Sequence, residues 1–202
     1  MARGVKATKR LRRDPAEAKL LILKTAEKIM LEEGYAAVTV RRVAKSAGVS
    51  STLLHYYYAT ADDLLVALYR NVSDKDLHSL QCALSAADPL SALWAYQTDA
   101  ARTALGVEFL ALANHRKTIR IEIVQFAEKA RALQAQALSG VLPSSSIDSE
   151  PCSPLCTSVL LTSIARNLIF ESGVGISSGH AEARAYVERK LTALQRKDKR
   201  KR

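Results

Sequence analysis

The fold of this chain is most constrained by residues 39–58, whose sequence is TVRRVAKSAGVSSTLLHYYY. The spacing of Val40, Val43 and Ala44 predicts a helix with one apolar face. Thr39 stands just before this helix and carries a hydroxyl group that can accept from the free backbone N–H groups of its first turn. We therefore expect a short, capped helix at the beginning of this segment.

A second short helix is predicted directly after it, over residues 51–58. Gly48 can adopt the positive φ that a tight turn between crossed helices often needs, and Ser50 can cap the second helix. Two helices joined by such a turn form a helix-turn-helix unit. The second helix of this unit fits the major groove of DNA, so the pattern indicates a DNA-binding head.

The agreement extends beyond this generic unit. Over about residues 18–68, a quarter of the chain, the sequence resembles the DNA-binding head of the TetR family of bacterial transcriptional regulators. The points of resemblance agree in order and spacing: Gly34-Tyr35, Thr39-Val40, Val43-Ala44, Ala47-Gly48-Val49-Ser50, Leu54, Tyr57, Tyr58, Thr60, Asp62 and Leu64-Leu65. The remainder of the chain agrees with the family only in its length and its all-helical pattern.

The second helix of the unit is expected to present its N-terminal, outward side chains to base edges. These side chains are Ser51, Thr52, His55 and Tyr56. Leu54 and Tyr58 are expected to face the core of the head, whereas Tyr57 fits either a core position or a DNA contact. Residues expected to contact the DNA backbone, and so to fix register instead of reading sequence, are Thr39, Arg41, Arg42, Ser50, Tyr57, Arg10, Arg12 and Arg13.

Three positions depart from the family pattern: His55 replaces a tyrosine that grips phosphate, Ala61 replaces a lysine, and Thr52 replaces a glycine. The first two changes remove or weaken phosphate contacts. We hypothesise that the basic N-terminal arm, residues 1–13, compensates for them by neutralising phosphates.

The net charge of +10 is concentrated at the two ends of the chain. Residues 1–13 hold six basic side chains and no acidic one, and residues 196–202 hold six basic side chains and one acidic one. The N-terminal arm adjoins the helix-turn-helix, where contacts with DNA are plausible. The C-terminal tail fits either a DNA contact or a solvated, solubilising end.

Other features of composition argue against several classes of protein. The chain has no long apolar run that could cross a membrane and no secretory signal, so no membrane partner and a cytoplasmic location in a bacterium, at the nucleoid when bound to DNA, are expected. Its three cysteines suggest reduced thiols, and neither they nor the four histidines have the spacing of metal ligands. No metal or cofactor is expected. No phosphate-binding glycine loop, HExxH motif or nucleophile–base pair indicates an enzyme.

Helical periodicity predicts an all-α chain of about nine helices. The expected divisions are a basic arm (1–13), a helix-turn-helix head (14–60), a ligand-binding and dimerisation body (61–195) and a basic tail (196–202). In detail, helices are predicted from Pro15 to Glu33 with Asp14 as its cap, after the cap Thr60 to about residue 84 as a rod between head and body, from Asp88-Pro89 to about Leu105, from Val107 to Ala113, and from about Lys117 to Ser139. Gly106 is predicted to separate two of them. A loop is predicted over residues 140–154, followed by helices at about 154–172 and 180–196.

The first of these last two helices is apolar nearly all round, except for Arg166, which predicts burial on more than one side. The resemblance implies that the last two helices of each subunit form a four-helix dimer interface. The residues assigned to this interface are Leu160, Ile164, Leu168, Tyr186 and Leu191.

The resemblance also implies that a small molecule binds among the middle helices and shifts the rod helix, so that the two recognition helices no longer match successive major grooves. Candidate lining residues, each of which could equally be ordinary core, are Leu77, Trp94, Gln97, Phe109, Ala113, Ile123 and Phe126. A pocket this apolar suits a hydrophobic or amphipathic compound. Possible polar anchors, which surface ion pairs would explain equally well, are Glu108, His115, Arg120 and Glu122.

The function that these features favour is a homodimeric, ligand-responsive regulator, more often a repressor than an activator, that binds a palindromic double-stranded DNA operator. An enzyme and a DNA-packaging protein without sequence preference are the competing interpretations. Packaging would account for the basic ends, but it does not account for the long apolar helical body behind the head.

Overall fold

The computed structural model describes residues 14–140, 142 and 152–199, with the backbone alone for 195–199. Within these residues the chain is all-α, as predicted, and forms nine α-helices and one 3₁₀ helix (Tyr35–Ala37) without any strand. The helices are α1 (Pro15–Glu33), α2 (Val40–Ala47), α3 (Ser51–Tyr57), α4 (Ala61–Leu84), α5 (Pro89–Gln97), α6 (Ala100–Ala113), α7 (Lys117–Ser139), α8 (Pro154–Gly173) and α9 (His180–Lys199). The N-terminal arm, most of the predicted loop at 140–154 and residues 200–202 lie outside the described residues.

Helices α1 to α3 form the head, and their ends agree with the capping residues inferred from the sequence. The Asp14 side chain accepts from the backbone N–H of Ala16, and Pro15 occupies the first turn of α1, where a missing N–H costs nothing. Gly34 follows the helix with φ of 80°, a conformation that glycine adopts without strain.

Helix α4 is the predicted rod between the head and the body. Thr60 and Asp63 form a reciprocal capping box at its start: the Thr60 N–H donates to Asp63 Oδ2 (2.9 Å), and the Asp63 N–H donates to Thr60 Oγ1 (3.1 Å). Two orphan donors of the first turn are thereby satisfied, which fixes where the rod begins.

The predicted break at Gly106 is wrong. Helix α5 ends at Gln97, and α6 runs from Ala100 to Ala113 with Gly106 in its interior. The break instead falls at Thr98 and Asp99, where the Asp99 side chain accepts from the Arg102 N–H (2.7 Å) and starts a new helix. A single glycine inside a helix costs about 1 kcal/mol relative to alanine, which the packing of α6 can outweigh.

The core consists of two hydrophobic clusters. The first joins the head to the upper body and contains residues of α1 to α4, α6 and the start of α7, with Leu54, Leu68 and Phe109 among its most buried members. The second joins α4, α5, α7, α8 and α9 around Leu93 and Ala165. Helix α4 packs against α5 and α7, and α7 packs against α8, so the middle helices form a bundle between the head and the last two helices.

Helix α8 is buried on one side within the protomer, where Leu161, Ala165 and Leu168 pack into the second cluster. Other large apolar side chains of the same helix are exposed, including Leu160 at 51% and Phe170 at 53%. The expectation that α8 is buried on more than one side is therefore not met within a single chain. No helix of the described part is long and apolar enough to span a membrane.

Candidate nucleic-acid interface and internal cavity

Helix α3 is held on the head by the turn and cap that precede it. Gly48 has φ of 65° in the left-handed region, and its N–H bonds to carbonyl groups at the end of α2. Ser50 Oγ accepts from the Leu53 N–H (3.1 Å), which caps the start of α3. Leu54 and Tyr58 are buried in the first hydrophobic cluster, as the sequence predicted. One side of α3 is therefore anchored, and the opposite side faces outward.

The four side chains predicted to meet bases all lie on the outward side of α3. Ser51, Thr52, His55 and Tyr56 are exposed, and Tyr56 keeps 80% of its surface free. Tyr57 is half-buried: its ring packs edge-on against Tyr56, with centroids 5.3 Å apart. Because Tyr56 is so exposed, it contributes little to the core, and its position favours contact with another molecule.

His55 is oriented by the end of its own helix. Its Nδ1 lies 3.3 Å from the carbonyl oxygen of Ala59. Because a carbonyl oxygen can only accept, this contact requires Nδ1 to carry the proton. In the neutral ring Nε2 is then an acceptor, suited to an exocyclic amino group of a base and unsuited to a phosphate oxygen.

The predicted backbone contacts at the start of α2 differ from one another. Thr39 Oγ1 accepts from the Arg42 N–H (3.2 Å) and so caps the helix. The Arg42 guanidinium makes two hydrogen bonds to Glu33, from Nε (3.3 Å) and from Nη2 (2.5 Å), and a third from Nη1 to Ser46 Oγ (2.9 Å). This pairing lowers the pKa of Glu33. Arg41 is exposed and makes no such pair within the described chain.

Arg10, Arg12 and Arg13, the remaining basic residues assigned to the DNA backbone, lie outside the described residues.

A cavity of about 280 Å³ lies among α4 to α8, at the seam between the two hydrophobic clusters. Its size is close to the lower end of the range typical of small-molecule sites, about 300–1,000 Å³. Four of the seven residues predicted to line a pocket do line it: Gln97, Phe109, Ile123 and Phe126.

The other three predicted lining residues do not reach this cavity. Trp94 is buried in the second cluster and Ala113 in the first, where both serve as core. Leu77 is half-buried on α4 and is not among the lining residues. Trp94 and Ala113 thus occupy core positions, and ligand contact by any of the three stays a prediction.

The polar anchors suggested by the sequence are also engaged elsewhere. Glu108 Oε2 accepts from the Tyr35 N–H (2.8 Å), and Glu122 pairs with Arg70 through Nη2 (2.7 Å). Arg120 donates from Nε to the Ala113 carbonyl oxygen (3.1 Å). These residues, like His115, are not part of the cavity lining.

The cavity contains instead a buried charged cluster that sequence reasoning missed. Arg102 Nε lies 3.4 Å from Asp76 Oδ1, and the Arg102 guanidinium stacks 3.7 Å from the centre of the Tyr96 ring. Burial raises the pKa of Asp76, and Arg102 partly offsets this rise. Burial also raises the pKa of Tyr69, another lining residue, to about 12.

Two further arginines, Arg131 of α7 and Arg166 of α8, line the same cavity. Burial lowers the pKa of Arg166, and the neighbouring charge of Arg131 lowers it further. One of the two had a signal in the sequence, because Arg166 is the single basic residue of an otherwise apolar helix. A charged side chain on an otherwise apolar helix indicates a polar cavity beside that helix.

The residues assigned to a subunit interface fall into two groups. Leu160 and Tyr186 are exposed, and Ile164 is half-buried, so these three can meet another surface. Leu168 and Leu191 are buried in the second cluster of their own chain. Both side chains hold α8 and α9 on the body, and their assignment to a subunit interface stays a prediction.

Comparison with known proteins identifies the head. The family model of bacterial regulatory proteins, tetR family, matches residues 22–68. The transcriptional regulator BetI of Rhizobium meliloti is 32% identical over 74 residues, which cover 37% of this chain and 36% of BetI. The regulator HbdR of Aromatoleum sp. is 36% identical over 53 residues, which cover 26% of this chain and 23% of HbdR. The matched segments therefore span little more than a third of BetI and less than a quarter of HbdR.

Solved structures resemble the chain over nearly its whole length. A TetR transcription regulator from Haloarcula marismortui has a TM-score of 0.69 at 20% identity, with 88% of this chain and 98% of that chain covered. A protein from Saccharomonospora viridis, described as a transcriptional regulator and solved with choline, has a TM-score of 0.72 at 17% identity, with 86% and 94% covered. At these identities the likeness concerns the fold.

The relatives that match the chain are described as regulators of transcription. The match over the helix-turn-helix and the shared fold of the body agree with each other. Residues 22–68 are thus similar to the bacterial regulatory proteins of the tetR family, and the fold of the described chain is similar to that of solved regulators.

Proposed function

We propose that this protein binds a palindromic operator as a homodimer and represses transcription until a small molecule enters the internal cavity. The observation that carries the proposal is the outward side of α3, whose polar and aromatic side chains are exposed while Leu54 anchors the helix from behind. An anchored helix with a free polar face near its N-terminus is the arrangement that reads base edges in a major groove.

Within this proposal Ser51, Thr52, His55 and Tyr56 contact bases. Thr39, Arg41, Ser50 and Tyr57 contact the DNA backbone, together with the basic arm and its Arg10, Arg12 and Arg13. Arg42 can join them only by giving up its two hydrogen bonds to Glu33, so we expect it to contribute less than Arg41.

The division into a head at residues 14–60 and a ligand-binding body at 61–195 is part of the proposal. Both parts share the first hydrophobic cluster, to which Tyr69 of α4 and Phe109 of α6 belong. The two rings pack edge to face, with centroids 4.9 Å apart, and both line the cavity. A ligand that contacts these rings therefore contacts side chains that also support the head.

One polar contact fastens the head to the body: Tyr35 donates its N–H to Glu108 of α6. Directly after the head, at the start of α4, Asp62 pairs with Arg116, which precedes α7 (2.6 Å). A ligand that fits one arrangement of α4 and α6 better than another would bias the direction in which the head points. Two recognition helices must match grooves roughly 34–36 Å apart, so a small rotation of each head is enough to weaken operator binding.

The exposed apolar face of α8 and α9 supports the homodimer. Leu160, Ile164 and Tyr186 are available for it, and Phe170 at 53% exposure extends the face toward the end of α8. A two-fold dimer through this face would present two α3 helices to a two-fold operator. Such a regulator would act in the bacterial cytoplasm, at the nucleoid.

The test is binding of the purified full chain to DNA from immediately upstream of its own coding region and to a scrambled duplex of equal length. Fluorescence anisotropy at about 50 and 200 mM salt separates phosphate contacts from base contacts, because only the former depend steeply on salt. Footprinting on the same DNA locates the site. We expect a protected, two-fold symmetric site and a preference over scrambled DNA that persists at the higher salt.

Arg41→Gln and Arg42→Gln are a matched pair for the same assay, since both remove one positive charge from the same turn of α2. Arg41→Gln should lower the slope of log K against log salt by about one, and Arg42→Gln should change it less. Equal binding to both duplexes, lost at higher salt, would instead favour a packaging protein.

A further inference from the structure

The chemical class of the effector can be read from the charges that line the cavity. This inference rests on the proposed function, because it concerns the same cavity. The lining residues with a side-chain charge are Asp76, Arg102, Arg131 and Arg166. They supply three positive charges against one negative charge.

The neutral polar groups of the lining already satisfy one another. Gln97 Nε2 donates to Thr162 Oγ1 (3.0 Å), and Ser158 Oγ donates to Gln134 Oε1 across the same region. Thr103 Oγ1 donates to the Gln97 carbonyl oxygen (3.3 Å). Each of these side chains therefore already has a partner within the chain.

Asp76 and Arg102 largely neutralise each other. Their side chains are mostly buried, and Nε and Oδ1 are 3.4 Å apart. Tyr96 covers the face of the Arg102 guanidinium, so this ring already holds a protein cation by a cation–π contact. This arrangement disfavours a quaternary ammonium ligand in the same place.

Arg131 and Arg166 have no comparable partner. Neither forms an ion pair or a side-chain hydrogen bond with any residue of the described chain. They reach the same cavity from α7 and α8, which pack against each other. In agreement with this placement, the charge of Arg131 lowers the pKa of Arg166. Two neighbouring guanidinium groups without a carboxylate form a site that a carboxylate or another planar anion can neutralise, with hydrogen bonds from both.

The opposite part of the lining is apolar. Ile123 and Phe126 of α7 meet Tyr69 and Phe109 there, and the rings of Tyr69 and Phe126 are 6.3 Å apart. Ile123 and Arg131 are eight positions apart on α7, which at 1.5 Å per residue corresponds to about 12 Å along the helix axis. The cavity thus changes along its length from an aromatic end to a cationic end.

We propose that the effector is a small amphipathic anion, with a carboxylate bound between Arg131 and Arg166 and an aromatic or short acyl body among Tyr69, Phe109 and Phe126. The cavity of about 280 Å³ limits this body to about one ring with a short chain. A long lipid does not fit these dimensions.

The first experiment compares ligands of one shape and different charge. Phenylacetate, 3-phenylpropanoate and 4-phenylbutanoate are titrated by calorimetry into the full chain without DNA, alongside their neutral amides and phenyltrimethylammonium. At least one carboxylate should bind tenfold or more tightly than its amide. The proposal fails if the amides bind as well as the acids, if the ammonium compound binds best, or if no carboxylate binds at 10 mM.

The second experiment identifies the cations. Arg131→Gln and Arg166→Gln should each reduce the preference for acid over amide, and the double variant should bring it within about twofold. Lys129→Gln is the matched control, since it removes a charge from the same helix at an exposed position outside the lining. A preference that survives in the double variant would overturn the assignment of these two arginines, and thermal unfolding shows whether each variant is folded.

Operator binding of the same preparations separates this inference from the proposed function. If the carboxylate binds but the operator complex is unaffected, the anion site stands and the switch fails. If operator DNA is bound and then released by a neutral or cationic compound, the switch stands and the anion site is wrong.

Discussion

At the scale of single residues, the three consecutive tyrosines at the end of α3 occupy three different environments. Tyr58 is buried in the head, Tyr57 is half-buried beneath Lys19, whose Nζ lies 5.4 Å from its ring centre, and Tyr56 is 80% exposed. The positions of the first and last follow from helical geometry, because residue 58 lies one turn after Leu54 and residue 56 points away from both. The same chemical group therefore serves the core at one position and an outer surface at another.

Two substitutions separate these roles. Tyr58→Ala should lower the free energy of unfolding by about 3 kcal/mol, as expected when a large buried aromatic is truncated. Tyr56→Ala should leave thermal stability nearly unchanged and weaken operator binding at least tenfold. Chemical denaturation and anisotropy on the same preparations measure both effects. If Tyr56→Ala unfolded at markedly lower denaturant concentration, Tyr56 would be structural and its assignment to DNA would be wrong.

The residues of the cavity show the limit of sequence reasoning at this scale. The buried positions of the head follow from the spacing of apolar residues along one helix, which is a local signal. Arg131 and Arg166 meet because α7 packs against α8, and no local pattern reports on a contact between helices far apart in the chain. For the same reason Trp94 and Ala113 could be recognised as inward-facing but could not be assigned to core or cavity.

At the scale of helices, capping residues decide where elements begin and end. Asp14, Thr39, Ser50 and Thr60 were identified as caps from the sequence, and each accepts a hydrogen bond from the first turn that follows it. The sequence predicts the boundary between α5 and α6 at Gly106, whereas the cap at Asp99 sets it in the structure. Glycine disfavours a helix by only about 1 kcal/mol, whereas a cap satisfies a donor and also sets the chain direction.

Opposite substitutions test this boundary. Asp99→Ala should destabilise the protein by about 1 kcal/mol through loss of the cap. Gly106→Ala should stabilise it by about 0.5–1 kcal/mol, because residue 106 is helical and an added Cβ would meet no atom within 4 Å. Thermal or denaturant unfolding gives both signs. Destabilisation by alanine at position 106 would show that the helix breaks there after all.

The ion pair between Arg70 of α4 and Glu122 of α7 makes the stability of the fold depend on pH. Hydrogen bonds from Arg70 hold the pKa of Glu122 below its ordinary value of 4.5. A carboxyl group with a lower pKa in the folded state stabilises the fold above its unfolded-state pKa, and this contribution is lost as the pH falls through the folded-state value. Because the Arg70 side chain is largely exposed, we expect this ion pair to contribute at most about 1 kcal/mol to the free energy of unfolding.

Glu122→Gln should therefore lower the melting temperature at pH 7 and lose its effect on acidification to about pH 3. Arg70→Gln should remove the same pH-dependent contribution. The double variant should be at least as stable as the sum of the two single changes predicts. Thermal unfolding across this pH range gives the result. A difference between wild type and Glu122→Gln that stayed constant with pH would assign the effect to packing and not to the ion pair.

At the scale of the whole molecule, the exposed apolar face of α8 and α9 is the surface least explained by a single chain. Leu160 and Phe170 lie on it, and both are half exposed despite their size. Introducing charge there, as Leu160→Glu with Phe170→Glu, should convert a dimer into monomers of unchanged helix content. Analytical ultracentrifugation measures the mass. Leu20→Glu, an equally apolar exposed position on α1, is the control and should leave the mass unchanged.

If the doubly substituted protein kept the dimer mass, another surface would form the interface. If it became monomeric and still protected a two-fold site, two monomers would be assembling on DNA without this contact. Either result would remove the proposed role of α8 and α9 in setting the spacing of the recognition helices.

The double membership of Tyr69 and Phe109, in the head cluster and in the cavity wall, has a consequence for how such a regulator can evolve. A mutation at either ring alters what fits the cavity and also disturbs the support of the head, so it carries two effects that selection cannot separate. Gly106 and Thr162 also line the cavity, but they do not belong to the first hydrophobic cluster. New effector preferences can arise there by single substitutions while the operator stays the same.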